Sequence, residues 1–282
     1  MKKIKHYTGN SLDFYVKVRD SKRDEQLKAS LRSIHPAIKN DYDSYDSAFA
    51  SLQLHSLTPD ASLSDAHRSQ LSTLYKYKAA SLRKLMAVLT TNQYGQSDTT
   101  CPFCMINSIN SFDHILPQSK FKEYAVHPLN LMPCCTTCND YKGDEWTSQN
   151  ALQFLNLYQD DIPNVQYLFV DLSVVSGVIK AQFRVENQGD IDVALYKRIK
   201  HTYTNMYLCE RFQERCYNVI KELSNSVQTY IAIGLTPDVI KNVIHADVEG
   251  LRRIYGYNYW KAILKEACCN DVNAFQCLCV MS

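Results

Sequence analysis

The chain has 282 residues, of which 45% are hydrophobic and 21% are charged, and its formal net charge is +2. This composition excludes global disorder, and the small net charge excludes long-range attraction of nucleic acid by the chain as a whole. The sequence has no run of about 18 apolar residues, and its first twenty residues lack a hydrophobic signal core. We therefore expect a cytoplasmic protein that makes no contact with a membrane.

Residues 1–96 are predicted to form an N-terminal helical region. The first forty residues are polar and mix both signs of charge, which is typical of a solvated helix. From Asp65 to Leu89, leucines and tyrosines recur three and four positions apart, which predicts one long amphipathic helix capped by Ser64 or Asp65. The polar run at 92–100 marks a boundary before the cysteine-rich segment that follows.

Residues 151–282 are predicted to form a C-terminal region that begins with a β-hairpin. We expect a short helix at Ala151–Tyr158. Runs of β-branched and aromatic residues then predict strands at Val165–Leu172 and Val178–Val185, joined by a turn at Ser173–Gly177.

Helical periodicity resumes at Ile191 and predicts helices over the rest of the C-terminal region. Gly234, Thr236 and Pro237 interrupt it, and a last helix is expected from Asp238 to about Ala267. The predicted fold class is therefore α+β, mostly α, with a small ββα element and one hairpin.

Two Cys-x-x-Cys pairs lie between these regions. Thirty residues separate Cys101 and Cys104 from Cys135 and Cys138. Four thiolates complete a tetrahedral sphere around Zn²⁺ and leave no position for water, so this zinc would be structural. Cys134 fits less well than Cys135 because it would leave a three-residue gap before the last cysteine. The alternative is that these cysteines are merely buried.

The other seven of the eleven cysteines are expected to be buried small hydrophobes, because a reducing cytosol disfavours disulfides. A second metal site is the alternative for the four nearest the C-terminus, although their spacing contains no Cys-x-x-Cys pair. These four are Cys268, Cys269, Cys277 and Cys279.

An adjacent acid and imidazole, Asp113 and His114, lie between the two cysteine pairs, and Asn139 directly follows the last cysteine. Neighbouring side chains on a strand point to opposite faces, so the pair converges on one site only if the backbone bends, as Pro117 could help it to do. Carboxylate and amide oxygens are hard ligands that suit Mg²⁺ or Mn²⁺. His127 has no such neighbours and is expected to be structural or exposed.

The segment resembles the ββα-metal core of the HNH endonuclease family, which has the form C-x-x-C … D-H-I-x-P … N-L … C-x-x-C-N-x-x-K. The resemblance covers about forty of 282 residues. It identifies residues 97–150 as an HNH nuclease core with a four-cysteine zinc site, flanked by helical regions. The matching residues are Cys101, Cys104, Asp113, His114, Ile115, Pro117, Asn130, Leu131, Cys135, Cys138, Asn139 and Lys142.

The resemblance implies a role for each polar residue of the motif. His114 would be the general base that activates water for attack on phosphorus, and Asp113 and Asn139 would hold a single Mg²⁺ or Mn²⁺. Asn130 would fix the loop that aims the histidine. Lys142 would contact a substrate phosphate, with a solvated helix lysine as the alternative. Asn139 stands where many members have histidine, which shifts the metal preference toward Mg²⁺.

The resemblance implies a metal-dependent endonuclease, with DNA as the first substrate because it is the family's usual one. An RNase of the same mechanism, for example on tRNA, is the alternative within this chemistry. A zinc-stabilised nucleic-acid-binding adaptor that has lost catalysis is the alternative outside it. The plan of helical flanks around the core is similar to stand-alone HNH effectors of bacterial antiphage systems, the Septu-type and retron-associated nucleases, which implies an ATPase partner.

Overall fold

The computed structural model of the protein describes residues 1–92, 94–148 and 150–280. Within these residues about 52% of the chain is helical and the strands pair into three two-stranded sheets, which confirms the α+β, mainly α class. The predicted polar run 92–100 includes residue 93, which lies outside the described residues. The predicted region boundary at 150 adjoins residue 149, and the one at 282 falls on residues 281–282, which also lie outside them. No helix of the described residues has both the length and the apolar composition needed to span a membrane.

The chain divides into two compact units. One comprises Lys3–Phe103 with Asn107–Asp161, and the other comprises Ile162–Ser282 with Met1–Lys2 and Cys104–Ile106. The first unit contains the segment that carries the motif residues, except for the short piece that holds Cys104.

The N-terminal residues form three helices rather than one solvated helix. The apolar residues Tyr15, Leu31 and Ile38 are almost fully buried, so the segment turns back to bury them. Side-chain oxygens of Asn10 and Asp24 cap the first two helices. The helices are α1 (Ser11–Asp20), α2 (Glu25–Ser33) and α3 (His35–Ala50).

The predicted long helix is wrong as a continuous element. Its start is as expected, because the Ser64 hydroxyl accepts a hydrogen bond from the His67 N–H at 3.3 Å, but the helix ends after one short segment. The carbonyls of Thr73 and Leu74 accept hydrogen bonds from the Lys22 ammonium at 3.1 and 3.0 Å instead of from a further helical turn. The two resulting helices are α4 (Asp65–Ser72) and α5 (Ala80–Thr90).

Two short strands and a helix follow in the order β, β, α. Strand β1 (Ser111–His114) pairs antiparallel with β2 (Leu131–Cys134), so that Asp113 lies opposite Met132. Helix α6 (Thr136–Lys142) begins directly after β2, with the Cys135 thiol accepting a hydrogen bond at its N-terminus. All eight strand residues are buried, which rigidly positions the groups between the strands and the helix.

The short helix predicted at Ala151–Tyr158 is wrong. Ala151 and Leu152 form β4, which pairs with β3 (Thr147–Ser148). The chain then turns around Asn156, whose side-chain oxygen accepts a hydrogen bond from the Tyr158 N–H at 3.1 Å. Asparagine competes in this way with the helical backbone bonds that the prediction required.

The predicted hairpin is present in the second unit, with one strand displaced. Strand β6 (Val178–Val185) has the predicted bounds, but β5 (Leu168–Val175) begins and ends three residues later than expected. Asn258 explains the later start, because its side chain bonds the backbone of Val165, Tyr167 and Leu168. Ser176 and Gly177 both have positive φ, at 52° and 77°, and make the tight turn.

Helices form the rest of the second unit. The predicted interruption at Gly234–Pro237 is confirmed, but the predicted last helix is wrong as one element, because Gly256 adopts a positive φ of 92° and ends it early. Phe212 and Trp260 stack with ring centroids 5.4 Å apart in the core that these helices enclose. The helices are α7 (Val193–Asn205), α8 (Leu208–Ala232), α9 (Pro237–Tyr255), α10 (Trp260–Asn270) and α11 (Val272–Val280).

Candidate functional site

Four cysteine sulfurs form a buried cluster. The Sγ atoms of Cys101, Cys104, Cys135 and Cys138 all lie within 4.8 Å of one another. Cys135 belongs to the cluster, whereas Cys134, its neighbour on β2, does not. Four buried thiols this close together could hold a metal ion such as zinc.

Backbone and side-chain N–H groups point at these sulfurs. The Cys135 N–H donates to Cys101 Sγ at 3.3 Å, and the Cys138 N–H donates to Cys135 Sγ at 3.4 Å. The Asn107 amide lies 3.8 Å from Cys135 Sγ. Such donors stabilise negative charge on sulfur and therefore favour the thiolate, which is the form that binds a metal.

The remaining cysteines are mostly buried, as expected. Burial raises the pKa of Cys216 and of Cys268 to about 12, so that both remain thiols at neutral pH. Among the described residues, the cysteines near the C-terminus do not assemble into a second cluster with metal-binding spacing. Cys209 and Cys279 differ from the rest in being only partly buried.

Asp113 and His114 are adjacent on β1, and their side chains contact different groups. The Asp113 carboxylate meets the Lys142 ammonium at 3.0 Å, whereas the His114 ring packs edge-on against Tyr75 at 4.7 Å. The two side chains therefore point to opposite faces of β1, as they do in a regular strand. In this conformation the backbone bend that would bring the two side chains together is not made.

Asp113 is buried, and only one of its two carboxylate oxygens contacts a polar partner among the described residues. Burial raises the pKa of the Asp113 carboxyl, while the charge of Lys142 and its hydrogen bond lower it. The Oδ2 atom has no hydrogen-bond partner among the described residues. A cavity of about 10 Å³, which is about the space of one water molecule, is lined by Asp113 and Lys142 together with residues such as Trp146.

His114 is held by a backbone carbonyl. Its Nε2 lies 3.0 Å from the Ala125 oxygen, which can only accept, so Nε2 carries the proton and Nδ1 is left as an acceptor. Burial lowers the pKa of His114 to about 4. The imidazole is therefore neutral at pH 7, and 9% of the residue remains exposed.

Lys142 takes neither of its expected positions. The residue is buried, and its ammonium bonds both the Asp113 carboxylate and the His114 carbonyl oxygen, the latter at 2.8 Å. The expectation of a solvated helix lysine is therefore wrong, and the ammonium does not face solvent where a phosphate could meet it. Lys142 instead ties α6 to β1.

Asn130 uses its whole side-chain amide. The Oδ1 atom accepts from the Leu116 N–H at 2.7 Å and from the Tyr45 hydroxyl at 3.1 Å. The Nδ2 atom donates to the carbonyls of Leu116 and Tyr124 at 3.1 and 3.2 Å. Tyr124 precedes Ala125, so these bonds brace the chain on both sides of the His114 ring.

Asn139 lies on α6, one residue after Cys138. Its backbone N–H donates to the Cys135 carbonyl at 3.0 Å, and its own carbonyl accepts from Gly143 at 3.0 Å. The residue is half-buried. Its position on the helix therefore depends directly on the two cysteines of the second pair.

The surroundings of two buried features were not predicted from the sequence. His127 is enclosed by the rings of Tyr42, Tyr45 and Tyr124, and its Nε2 lies 3.3 Å from Asp46. No local pattern distinguishes such a histidine, because all of these neighbours except Tyr124 come from the distant helix α3. It is structural, which is one of the two expected alternatives.

The second feature is a group of carboxyls from separate elements. Burial, together with the charges of Asp60 and Glu123, raises the pKa of Asp41 to about 7. Glu123 is almost fully buried, and its Oε1 accepts from the Asp60 N–H at 3.1 Å. Arg68 partly offsets the repulsion. The acids are far apart in the sequence, so no spacing predicts the group.

Comparisons with known proteins give distant relatives. The chain is 23% identical over 218 residues to "Protein ea31" of Escherichia phage lambda, covering 73% of this chain and 74% of that protein. It is 24% identical over 185 residues to "CYFIP-related Rac1 interactor homolog" of Dictyostelium discoideum, covering 53% of this chain and 54% of that relative. No family model matches the chain. No solved structure matches it either.

Proposed function

We propose that this protein is a metal-dependent endonuclease of the HNH type that hydrolyses phosphodiester bonds. One observation carries the proposal: β1, β2 and α6 follow in the order ββα, the two pairs of the buried cysteine cluster bracket Asp113 and His114, and Asn139 directly follows the last cysteine. Cysteine clusters alone are common in proteins that only bind nucleic acid. The polar residues that accompany this cluster are what favour catalysis.

His114 is suited to act as the general base. It is neutral at pH 7, and the Ala125 carbonyl leaves Nδ1 as the atom that would accept a proton from water. Asn130 would keep this arrangement in place, because it bonds the chain next to Ala125. The base then needs no change of tautomer before it acts.

The donor atoms around Asp113 fit a hard divalent cation. Oδ2 is buried without a hydrogen-bond partner among the described residues, and carboxylate and amide oxygens are what Mg²⁺ and Mn²⁺ prefer. Asp113 and Asn139 would hold the ion, which when bound stabilises negative charge developing on the phosphate and the leaving oxygen. Lys142 would have to yield part of its contact with Asp113 for the carboxylate to take this role.

Zinc at the cysteine cluster would be a structural support. Cys138 and Asn139 are neighbours on α6, so the metal that holds the first also positions the second. The four sulfurs leave no open coordination position, so the ion would not itself touch the substrate.

DNA is the proposed substrate, with RNA as the alternative, in a cytoplasmic setting. The net charge of +2 and the buried Lys142 leave the core with little attraction for a phosphate backbone. We therefore propose that the chain works as the nuclease effector of a bacterial antiphage complex, with an ATPase partner that delivers the substrate.

One observation favours a second candidate, a catalytically silent adaptor. Lys142 neutralises Asp113 in the described conformation, which is the arrangement expected of a structural ion pair rather than of a vacant metal ligand. The adaptor predicts nucleic-acid binding without Mg²⁺-dependent cleavage under any condition.

The test is a cleavage assay of the zinc-loaded protein with plasmid DNA, single-stranded DNA and total RNA, in Mg²⁺ or Mn²⁺. We expect His114→Ala to lose cleavage by about 10² to 10⁴-fold, the usual contribution of a general base. Its zinc content and folded state should be retained, with a lower melting temperature because the buried ring leaves a cavity. His55→Ala removes an imidazole outside the motif and is the matched control.

Two outcomes contradict the proposal. Cleavage by His114→Ala at the parent rate would exclude this histidine as the base. No cleavage of any substrate by the parent protein, with and without its native partners, would favour the adaptor.

A further inference from the structure

Helix α7 presents a basic face that its packing leaves uncovered. Lys197 and Lys200 are exposed and His201 is half-buried on one side of the helix, whereas Ile199 and Tyr203 are buried on the other. The spacing of three and four residues places the three basic side chains in one stripe. None of these residues takes part in the proposed catalytic chemistry.

A groove of about 590 Å³ runs along this stripe. Its other wall is the segment around Asn187, whose amide donates to the Ile191 carbonyl at 2.9 Å and accepts from the Gly189 and Ile191 N–H groups. The Tyr196 hydroxyl donates to the Val185 carbonyl at 3.2 Å. These bonds hold the groove open in a preformed shape.

The groove has the chemistry of an anion site. Lys197 and Lys200 line it and no acid does. Of the three acids in the segment around Asn187, Glu186 pairs with Arg184, and Asp190 and Asp192 lie outside the lining. In the described part of the chain neither lysine is engaged in an ion pair with a carboxylate. Two ammonium groups that make no ion pair within the described residues therefore lie one helical turn apart on α7.

The lining also has an apolar component. Val193 and Tyr196 line the groove beside the two lysines, whose side chains combine an apolar stem with a charged end. A duplex would offer this surface only phosphates. A single strand offers bases for the apolar part and phosphates for the ammonium groups, which is how sequence-tolerant strand binding is built.

We infer that the α7 groove binds the backbone of single-stranded nucleic acid, with Lys197 and Lys200 each meeting a phosphate. The substrate class rests on the proposed nuclease function. The inference deepens that function, because it supplies a gripping surface that the core itself lacks.

The test measures binding separately from cleavage. Short labelled single strands and duplexes are titrated with the full chain carrying His114→Ala, zinc-loaded and without added Mg²⁺, and fluorescence anisotropy is read across a salt series. The double variant Lys197→Gln/Lys200→Gln is compared with Lys180→Gln/Lys221→Gln. The second pair removes the same charge from exposed positions in the same unit.

We expect the groove variant to bind single strands about tenfold more weakly. The negative slope of log K against log salt should become shallower by roughly 1.4, since each phosphate contact contributes about 0.7 to its magnitude. The control pair should keep the parent's affinity and slope. Equal binding by both double variants, or no binding by the parent, overturns the inference.

Two further results also overturn it. Tighter binding of duplex than of single strands would exclude the single-strand assignment. Displacement of the labelled single-stranded nucleic acid by poly-glutamate at equal charge concentration would show that the groove binds anions in general. Absence of Mg²⁺-dependent cleavage by the wild-type protein, by contrast, would contradict the proposed nuclease and would leave this binding result to stand by itself.

Discussion

Replacing Lys142 with methionine tests how the ββα element is held together. The Lys142 and Asp113 side chains are each 3% exposed and meet at 3.0 Å, and the ammonium also donates to the His114 carbonyl at 2.8 Å. Methionine keeps most of the volume but removes the charge. The carboxylate is then left buried without its cation, and one buried carbonyl loses its donor.

The expected loss follows from these contacts. Removing one partner of a buried ion pair costs about 3–5 kcal/mol, and an unsatisfied carbonyl of the kind left on His114 accounts for about 1–3 kcal/mol of that range. The double variant Asp113→Asn/Lys142→Met buries no charge. We expect it to be more stable than Lys142→Met, with a coupling energy of about 1–3 kcal/mol.

Urea unfolding of the zinc-loaded protein provides the measurement. Trp146 lines the same small cavity as Asp113 and reports on this unit, while Trp260 lies in the other unit. Trp260→Phe therefore serves as the common background, so that the fluorescence change comes from Trp146 alone. Lys142→Asn at the same position gives a polar but uncharged side chain as a control.

The pH dependence has a defined sign. Burial already raises the pKa of Asp113 in the folded protein, and loss of Lys142 removes the group that opposes this rise. The folded variant therefore holds a proton that the unfolded chain has released, so its stability falls as pH rises from about 4 through the raised pKa. The defect should be smaller at pH 5 than at pH 8. A variant within about 0.5 kcal/mol of the parent at pH 8 would refute the buried ion pair.

Three more predictions concern other buried groups. Cys138→Ser should lower zinc content, measured by zinc release on denaturation, whereas Cys134→Ser should retain it; equal loss in both would contradict the assignment of the cluster. Asp41→Asn should raise the melting temperature at pH 8 more than at pH 5, because the folded pKa of about 7 means that the wild-type protein loses stability between about pH 4 and pH 7. The difference should be about 2 kcal/mol in stability once the shift is discounted for the partial exposure of Asp41 to solvent; a parallel pH profile in the two proteins would contradict it. Asn130→Asp keeps the shape but turns an acceptor toward two backbone carbonyls, and should cost about 3 kcal/mol or more in thermal unfolding; an unchanged transition would show that the amide is not fully used.

Features that depend on residues close together in the chain were predicted from the sequence. The Cys-x-x-Cys pairs turn two thiols to one side within a few residues, so their spacing predicts a cluster before the fold is known. Strand β6 and the cap at Ser64 also follow from side chains within one element. The two-residue turn at Ser176–Gly177 lies within the predicted turn, whereas the later start of β5 depends on a distant side chain, Asn258.

The failures of prediction have local and long-range causes. Asn156 breaks a predicted helix through its side-chain hydrogen bond and Gly256 through its own backbone conformation, whereas the predicted long helix is interrupted by a distant residue. The periodic pattern from Asp65 to Leu89 satisfies a helix, but Lys22 binds the carbonyls at its middle and ends it. A helix propensity of a few tenths of a kcal/mol per residue is smaller than the contribution of a hydrogen bond to a charged group, so the tertiary contact decides.

For the candidate site, the sequence by itself determined which chemical groups are present: four thiols, an adjacent carboxyl and imidazole, and an amide one residue beyond the last thiol. Only the tertiary structure decided how they are used. It gives His114 its neutral state through burial and its tautomer through Ala125, and it places Lys142 against Asp113 rather than in solvent. The physical reason is that charge state and access depend on desolvation and on partners from other segments, and neither is encoded in the spacing of a motif.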